Sequence, residues 1–138
     1  MPLSDIQCLC KDINQYLMKR FKYKSCPASH NRRTISAYRK QFDLYFRFRP
    51  NTEYWQTDSF VIARIGFHET RKGHGTDLLR FIVSRAVTYG IKKIGIETAN
   101  ENSSAFASYY GFSNFSGSHW VVDVSELQDR LSFTESSA

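Results

Sequence analysis

Apolar and polar positions recur along the chain with two different periods, which predict helices and strands. Near the N-terminus, Ser4 and Gln7 have the spacing of a capping box, and apolar residues then follow at helical spacing. Residues 42–49 alternate strictly between apolar and polar side chains, which predicts a half-exposed strand. Between these segments, the basic and polar stretch 21–35 predicts a loop, while 34–41 fits either a short helix or a strand.

The middle of the chain predicts a strand, a helix and a second strand in succession. The first strand, about 59–68, is apolar on both faces, which is typical of a central strand. A helix over about 75–89 follows, with Gly90 as its stop, and then a strand over 92–98. This βαβ order predicts a parallel pair with a right-handed crossover. Strict alternation puts Phe60 and Ile62 on one face of the first strand, and Val61, Ala63, Ile65 and Phe67 on the other.

The C-terminal third predicts a short helix over about 102–110 and a closing hairpin over 112–124. The last residues, 133–138, predict a frayed tail. Residues 1–132 are therefore interpreted as one domain. Its fold class is α/β (α+β), with a mixed central sheet that is mostly antiparallel and contains one parallel βαβ crossover.

Composition agrees with one globular domain in the cytoplasm. The chain has 138 residues, of which 41% are hydrophobic and 23% charged, so intrinsic disorder is excluded as the default. No apolar run reaches the roughly 20 residues of a spanning helix, and the N-terminus has no signal-peptide pattern, so no membrane contact is expected. Cys8, Cys10 and Cys26 are too few for a disulfide framework and poorly spaced with His30 for zinc, so no metal is expected and the thiols are interpreted as buried or half-buried.

The net charge of +6 favours an anionic ligand or partner. Much of the basic excess lies before residue 50, where tyrosines interleave with arginines and lysines. This N-terminal face could bind an anionic macromolecule such as a nucleic acid, or it could be a solvated basic surface.

A glycine-containing loop joins the apolar strand to the following helix. Backbone N–H groups at a helix start bind phosphate oxygens, and Gly73 and Gly75 let the backbone approach such a ligand closely. Arg71 and Lys72 add positive charge beside them. The loop has neither the Gly-Lys-Ser/Thr ending of a Walker motif nor the third glycine of a dinucleotide fingerprint.

Residues 59–112 resemble the GCN5-related N-acetyltransferase (GNAT) superfamily. The family signature Q/R-x-x-G-x-G/A corresponds to the segment Thr70-Arg71-Lys72-Gly73-His74-Gly75. The segment from Asn100 to Phe112 resembles the family pattern N-x-x-A-x-x-F-Y-x-x-x-G-F. The two motifs stand in the family's order and at the family's spacing.

The resemblance implies an acetyl-CoA site between two splayed strands. It implies that the coenzyme A diphosphate lies on the backbone of Thr70, Arg71, Lys72, Gly73, His74, Gly75 and Thr76. It also implies that the pantetheine pairs with the backbone of Ile65, Gly66 and Phe67, and that Asn100 binds the pantetheine arm. On this basis 59–112 form the acyl-CoA-binding core and 1–58 the acceptor side.

The chain departs from the family pattern at two positions, one in the signature and one where the family often has its catalytic acid. Thr70 replaces the usual Gln or Arg, and Ala107 stands where the family often has the tyrosine that protonates the leaving thiolate. The nearby hydroxyls are Ser108 and Tyr109. The candidate bases for the amine are Glu69 and His68, at the end of the first strand, and Glu97 on the facing strand. Glu97 alternates with Ile96, so it should point away from the core face of that strand.

The resulting prediction is an N-acetyltransferase that moves an acetyl group from acetyl-CoA to a primary amine. The alternative is a GNAT-like module without catalysis, which senses acyl-CoA or binds protein or nucleic acid. The family includes enzymes for small amines, protein amines and aminoacyl-tRNA, and the sequence selects none of these acceptors. A homodimer is also left open.

Overall fold

The structure, a computed structural model, describes residues 4–70, 72–97 and 101–136. In these ranges the helices are α1 (Asp5–Phe21), α2 (His74–Ala86), α3 (Glu101–Tyr109) and α4 (Val124–Ser136). The strands are β1 (Ala28–His30), β2 (Thr34–Arg39), β3 (Phe42–Phe48), β4 (Ser59–Phe67), β5 (Lys93–Glu97), β6 (Ser113–Ser116) and β7 (His119–Asp123).

Helix α1 begins at the predicted capping box. The backbone N–H of Gln7 donates to the Ser4 hydroxyl at 3.4 Å, and the Ser4 N–H donates to Gln7 Oε1 at 2.8 Å. Each bond satisfies a donor that the helix start would leave unpaired. The apolar stripe, which includes Leu9, Ile13 and Leu17, is buried, so the predicted helix is confirmed.

One mixed sheet contains the seven strands, in the order β1-β2-β3-β4-β5-β7-β6. Among the strands of the described ranges, only β4 and β5 run parallel, and α2 crosses between them. The other neighbours are antiparallel. The predicted fold class is thereby confirmed, including the parallel crossover and the closing hairpin of β6 and β7.

The segment predicted as a loop over 21–35 contains β1 and the start of β2. Strand β1 is only three residues long and pairs with β2 through Ala28–Ala37, Ser29–Ser36 and His30–Ile35. Few of its side chains are apolar because it is the edge of the sheet, so its polar sequence suggested a loop. The ambiguous segment 34–41 is strand over 34–39, with Ile35 and Ala37 facing the core.

A β-bulge in β4 corrects the predicted division of its two faces. Tyr45 is opposite Arg64 and Phe46 is opposite Ile62, so Ala63 is the extra residue on β4. Beyond the bulge the alternation is shifted by one residue. Ile65 and Phe67 therefore share the core face with Phe60 and Ile62, whereas Arg64 shares the opposite face with Val61.

All four helices contribute to one hydrophobic core on the Phe46 face of the sheet. On the opposite face, Trp55 from the loop between β3 and β4 lies over β5 and is only 4% exposed. The approach is so close that a β-carbon added at Gly95 would lie 2.3 Å from the Trp55 ring. The absence of a side chain at Gly95 therefore creates the site that the indole occupies.

Helix α4 was not predicted, and it extends into the segment 133–138 that was interpreted as a frayed tail. Leu127 and Leu131 are four residues apart and buried in the core, where α4 packs against α2. This burial stabilises the helix even though the sequence has few apolar residues in this stretch.

Candidate active site

The parallel strands β4 and β5 separate before β4 ends. The paired stretch begins where Ser59 is opposite Lys93 and ends where Ile62 is opposite Ile96. Strand β4 then continues to Phe67. Within the described residues, the β5-facing edge of β4 has no strand partner beyond Ile62. Backbone N–H and C=O groups on such an edge can pair with an extended ligand that carries amides.

A cleft of about 580 Å³ begins at this separation and reaches the start of α2. Phe106, Ser103 and Asn102 of α3 form its far wall. Arg71 and Asn100, which the resemblance also assigned to the cofactor, lie outside the described residues. The other predicted cofactor residues line the cleft together with Glu69: Ile65, Gly66, Phe67, Thr70, Lys72, Gly73, His74, Gly75 and Thr76.

The two glycines of the loop have different physical roles. Gly73 caps α2 in the left-handed region, at φ 75°, which a residue with a side chain adopts only with strain. Gly75 allows the helix start to approach α3, since a β-carbon there would lie 3.1 Å from the Phe106 ring. Among the described residues, no side chain accepts a hydrogen bond from the start of this helix, so its first N–H groups are available to an anionic ligand in the cleft.

His74 is fixed in the wall of the cleft as a neutral imidazole. Its Nδ1 accepts a hydrogen bond from Arg20 Nε at 3.0 Å. Its ring packs against both Phe21 and Phe67, at centroid distances of 4.8 and 5.2 Å. Burial, and next the Arg20 guanidinium, lower the pKa of His74. An acceptor at Nδ1 requires the proton on Nε2, so the side chain can donate from that nitrogen.

Asp77 anchors this arrangement from the first turn of α2. Its Oδ2 accepts from the Tyr16 hydroxyl at 2.6 Å and lies 3.1 Å from Arg20 Nη1. Burial and the neighbouring Asp77 carboxylate raise the pKa of Tyr16. Helix α1 is therefore tied to the start of α2, and the bonds position His74 against the cleft.

A side cavity of about 400 Å³ adjoins the cleft. It shares Ile65 and Ser103 with the cleft, so the two spaces meet at these side chains. Most of its lining residues belong to the sheet face opposite the core. Its lining residues are Tyr45, Arg47, Ala63, Arg64, Ile65, Glu97 and Ser103.

Glu97, one of the predicted bases, lies in the side cavity with its side chain 23% exposed. Its Oε1 accepts hydrogen bonds from Arg47 Nε and Trp55 Nε1, both at 3.1 Å. These two donors fix the orientation of the carboxylate. The second predicted base, Glu69, is exposed on the rim of the cleft.

The candidate acids on α3 do not line either space. Tyr109 is 64% exposed and Ser108 is also exposed, whereas Ser103 and Phe106 of the same helix face the cleft. Ala107 is fully buried in the core. The Tyr110 hydroxyl instead lies 2.5 Å from Thr76 Oγ1 and links α3 to α2.

Sequence reasoning did not identify Arg47, Trp55 or Ser103 as site residues. Arg47 was visible on the polar side of the alternating strand, but alternation alone did not reveal a cavity there. Ser103 stands where the family pattern has alanine. The position of Trp55 depends on a loop that crosses the sheet, for which the sequence contains no local signal.

The basic N-terminal region is partly neutralised. Arg49 forms an ion pair with Asp5 at 2.7 Å, while Arg32, Arg33 and Arg49 line a shallow cavity near the start of α1.

Within the described ranges, no three His, Cys, Asp or Glu side chains are grouped closely enough to hold a metal ion. The thiol of Cys26 was expected to be buried or half-buried, but Cys26 is exposed.

None of the helices in the described ranges has both the length and the apolar character needed to cross a membrane.

Comparisons with known proteins give matches among solved structures only. No family model matches the chain. No curated protein matches it either. The structure of AtaTR bound with AcCoA is similar over 91% of this chain and 83% of that one, with 15% identity and a TM-score of 0.52.

Two further structures are similar to the chain. A putative acetyltransferase of the GNAT family from Desulfovibrio desulfuricans matches 82% of this chain and 80% of its own, at 17% identity and a TM-score of 0.48. A probable acetyltransferase from Staphylococcus epidermidis matches 65% of this chain, at 14% identity and a TM-score of 0.49. The match spans 66% of the latter protein, just under two thirds of its length. The AtaTR match extends over most of both chains, and we conclude that this chain has the same fold, which is the fold that the resemblance in its sequence implied.

Proposed function

We propose that the chain is an N-acetyltransferase that transfers an acetyl group from acetyl-CoA to a primary amine. The observation that carries the proposal is that the separation of β4 and β5 opens into the same cleft as the start of α2, where the described residues provide no side-chain cap. It combines a free strand edge for an amide-bearing arm with backbone donors for phosphates in one cleft. The AtaTR structure with the same fold is bound with AcCoA, which supports this choice of ligand.

The donor would lie along the cleft with its diphosphate at the start of α2. The N–H groups of the loop and the Lys72 ammonium supply positive charge there. The pantetheine amides would pair with the backbone between Ile65 and Phe67. The thioester would then reach Ile65 and Ser103, where the cleft meets the side cavity.

The acceptor amine would enter from the side cavity and attack the thioester carbonyl. The new N–C bond forms as the C–S bond breaks, the electron pair leaves with sulfur, and the amine loses a proton. Glu97 is the proposed base because its fixed carboxylate lines the cavity, and Glu69 on the rim is the second candidate. A thiolate is a stable leaving group, since thiols are much stronger acids than alcohols, so transfer can proceed without a tyrosine at position 107.

The second candidate function is a GNAT-like module that binds acyl-CoA without transferring the acyl group. The observation that favours it is Ala107, which is buried and offers no proton at the position where the family often has tyrosine. Ser108 and Tyr109 lie outside the cleft and do not replace that hydroxyl.

Calorimetric titration with acetyl-CoA tests the binding step. We expect the wild-type chain to bind, and Lys72→Glu to weaken binding by roughly tenfold or more, because one attraction to a phosphate becomes a repulsion. Lys92→Glu is the matched control. It makes the same charge change at an exposed residue before β5, at the strand end away from the cleft.

A glutamate at Gly75 should block the cleft itself. Gly75→Glu fills the space beside Phe106, whereas Val87→Glu adds the same side chain at a residue that is 93% exposed. Circular dichroism checks that both variants fold. No binding by the wild type, or equal binding by Lys72→Glu and Lys92→Glu, would remove the acetyl-CoA assignment.

Release of free thiol from acetyl-CoA in the presence of amines tests the transfer step. We expect thiol release that depends on the amine, with the acetylated amine detected by mass spectrometry. Binding of acetyl-CoA without transfer to any amine, and without slow thioester hydrolysis, would favour the non-catalytic module.

A further inference from the structure

Two arginines of the side cavity surround one aromatic ring beside the proposed reaction site. The guanidinium carbons of Arg47 and Arg64 each lie 5.5 Å from the ring centroid of Tyr45. Resting on the proposed function, we propose that the acceptor is a small amine that also carries an oxyanion, a carboxylate or a phosphate, which Arg47 and Arg64 bind. Its amino group then faces Glu97 and the thioester.

The backbone fixes both arginines on the same side of the sheet. Arg47 is two residues after Tyr45 on β3, so the two side chains share a face. Arg64 is directly opposite Tyr45 on β4, and it has this orientation because the bulge at Ala63 shifts the alternation. The cationic pair is therefore a consequence of backbone geometry and not of flexible side chains meeting by chance.

The guanidinium donors of the side cavity favour an acceptor with an oxyanion. Arg47, Arg64 and Glu97 are its charged lining residues, and each arginine has one carboxylate partner. Asp43 contacts Arg64 Nε at 2.9 Å, as Glu97 contacts Arg47 Nε, and both pairs are partly exposed to solvent. Exposed ion pairs are weak, and a guanidinium has five N–H donors, so each arginine can also bind a ligand oxyanion.

The size and position of the cavity favour a small acceptor. A volume of about 400 Å³ suits a small molecule, and the shared wall at Ile65 and Ser103 places its contents next to the cleft. With the oxyanion on the arginines, attack forms the N–C bond, the C–S bond breaks, and the amine proton passes to Glu97. The products are the N-acetylated acid and coenzyme A as its thiol.

Matched pairs of amines test this proposal. One pair is an amino acid and its uncharged carboxamide, and the other is phosphoethanolamine and ethanolamine. We expect kcat/KM to be at least tenfold higher for the anionic member of one pair, because charge-assisted hydrogen bonds discriminate by about that factor or more. The pair that shows the preference distinguishes a carboxylate from a phosphate.

Arg64→Gln should lower that preference by roughly tenfold, since it removes one cation from the oxyanion site. Arg85→Gln on α2, whose guanidinium lies 3.9 Å from Asp12 and outside both spaces, is the control and should keep the wild-type preference. NMR titration with the anionic member gives a readout that does not require turnover. Shifts of the Arg47 and Arg64 side-chain N–H signals are expected.

Four results would overturn the proposal. Three are equal use of neutral and anionic amines, an unchanged preference in Arg64→Gln, and no binding of any anionic member. The fourth is displacement of the small anions by an oligonucleotide at moderate salt, which would indicate that the arginines bind nucleic acid instead of a small acceptor. Each result is distinct from failure of the proposed function, because acetyl-CoA binding and amine-dependent thiol release by the wild type are measured separately.

Discussion

The contact between Trp55 and Gly95 predicts that the smallest possible substitution at Gly95 will be among the most damaging. In Gly95→Ala the added methyl group would lie 2.3 Å from one ring carbon of Trp55 and 2.4 Å from another, far inside van der Waals contact. Position 95 is in the centre of β5 and pairs with both β4 and β7. The strand cannot shift, so the indole must leave its site.

The magnitude follows from what Trp55 loses. Its side chain is almost fully buried, and an aromatic side chain that buries about 200 Å² contributes up to about 5 kcal/mol at about 25 cal/mol per Å². The hydrogen bond from Nε1 to Glu97 is also lost, at a cost of about 1–2 kcal/mol. The ring can find partial cover elsewhere, so we expect Gly95→Ala to lower the free energy of unfolding by about 2–4 kcal/mol.

Urea unfolding followed by tryptophan fluorescence measures this change, and Trp55 should become more accessible to a quencher. Gly66→Ala on the neighbouring strand is the matched control, because its β-carbon would meet only the Asp43 carbonyl oxygen at 3.8 Å. The control should be neutral or slightly stabilising, since alanine loses less chain entropy than glycine. A Gly95→Ala protein within about 0.5 kcal/mol of wild type, with Trp55 still shielded, would refute the packing described here.

Two further predictions concern His74 and helix α4. The lowered pKa of His74 means that the unfolded chain binds its proton more readily, so stability falls as the pH drops from about 6.5 toward the lowered native value. His74→Asn should lack this part of the acid destabilisation in urea titrations at several pH values, and equal pH slopes in the two proteins would contradict it. Leu127→Ala should cost about 2–5 kcal/mol because Leu127 is fully buried between helices. A melting temperature close to that of wild type would show that α4 does not stabilise the core, and Gln128→Ala, at an exposed site on the same helix, is its control.

The elements that could be predicted from the sequence are those whose patterns are local. The capping box of α1, the strict alternation of β3 and the glycine at the start of α2 each lie within a few residues of the structure that they specify. The order of β4, α2 and β5 then determines the parallel crossover, because parallel neighbours require such a connection.

The elements that could not be predicted depend on partners distant in the sequence. Strand β1 exists because β2 supplies its hydrogen bonds, and α4 is stable because α2 covers Leu127 and Leu131. The candidate site has the same limitation. The glycine loop and Glu97 could be identified from the sequence, but Trp55 reaches Glu97 across 42 residues and Arg47 reaches it across 50.

The extra residue in β4 has a consequence for how this protein can change over time. In a regular strand, one inserted residue would exchange the two faces for every residue that follows, and a bulge absorbs such a residue instead. Because Ala63 is the extra residue, a chain without it would continue from Ile62 to Arg64 in regular alternation, with Arg64 still opposite Tyr45 and with Ile65 and Phe67 still on the core face. A change of one residue in length is therefore compatible with both spaces around β4 at position 63, whereas a single deletion in the regular part of the strand would exchange the faces that line them.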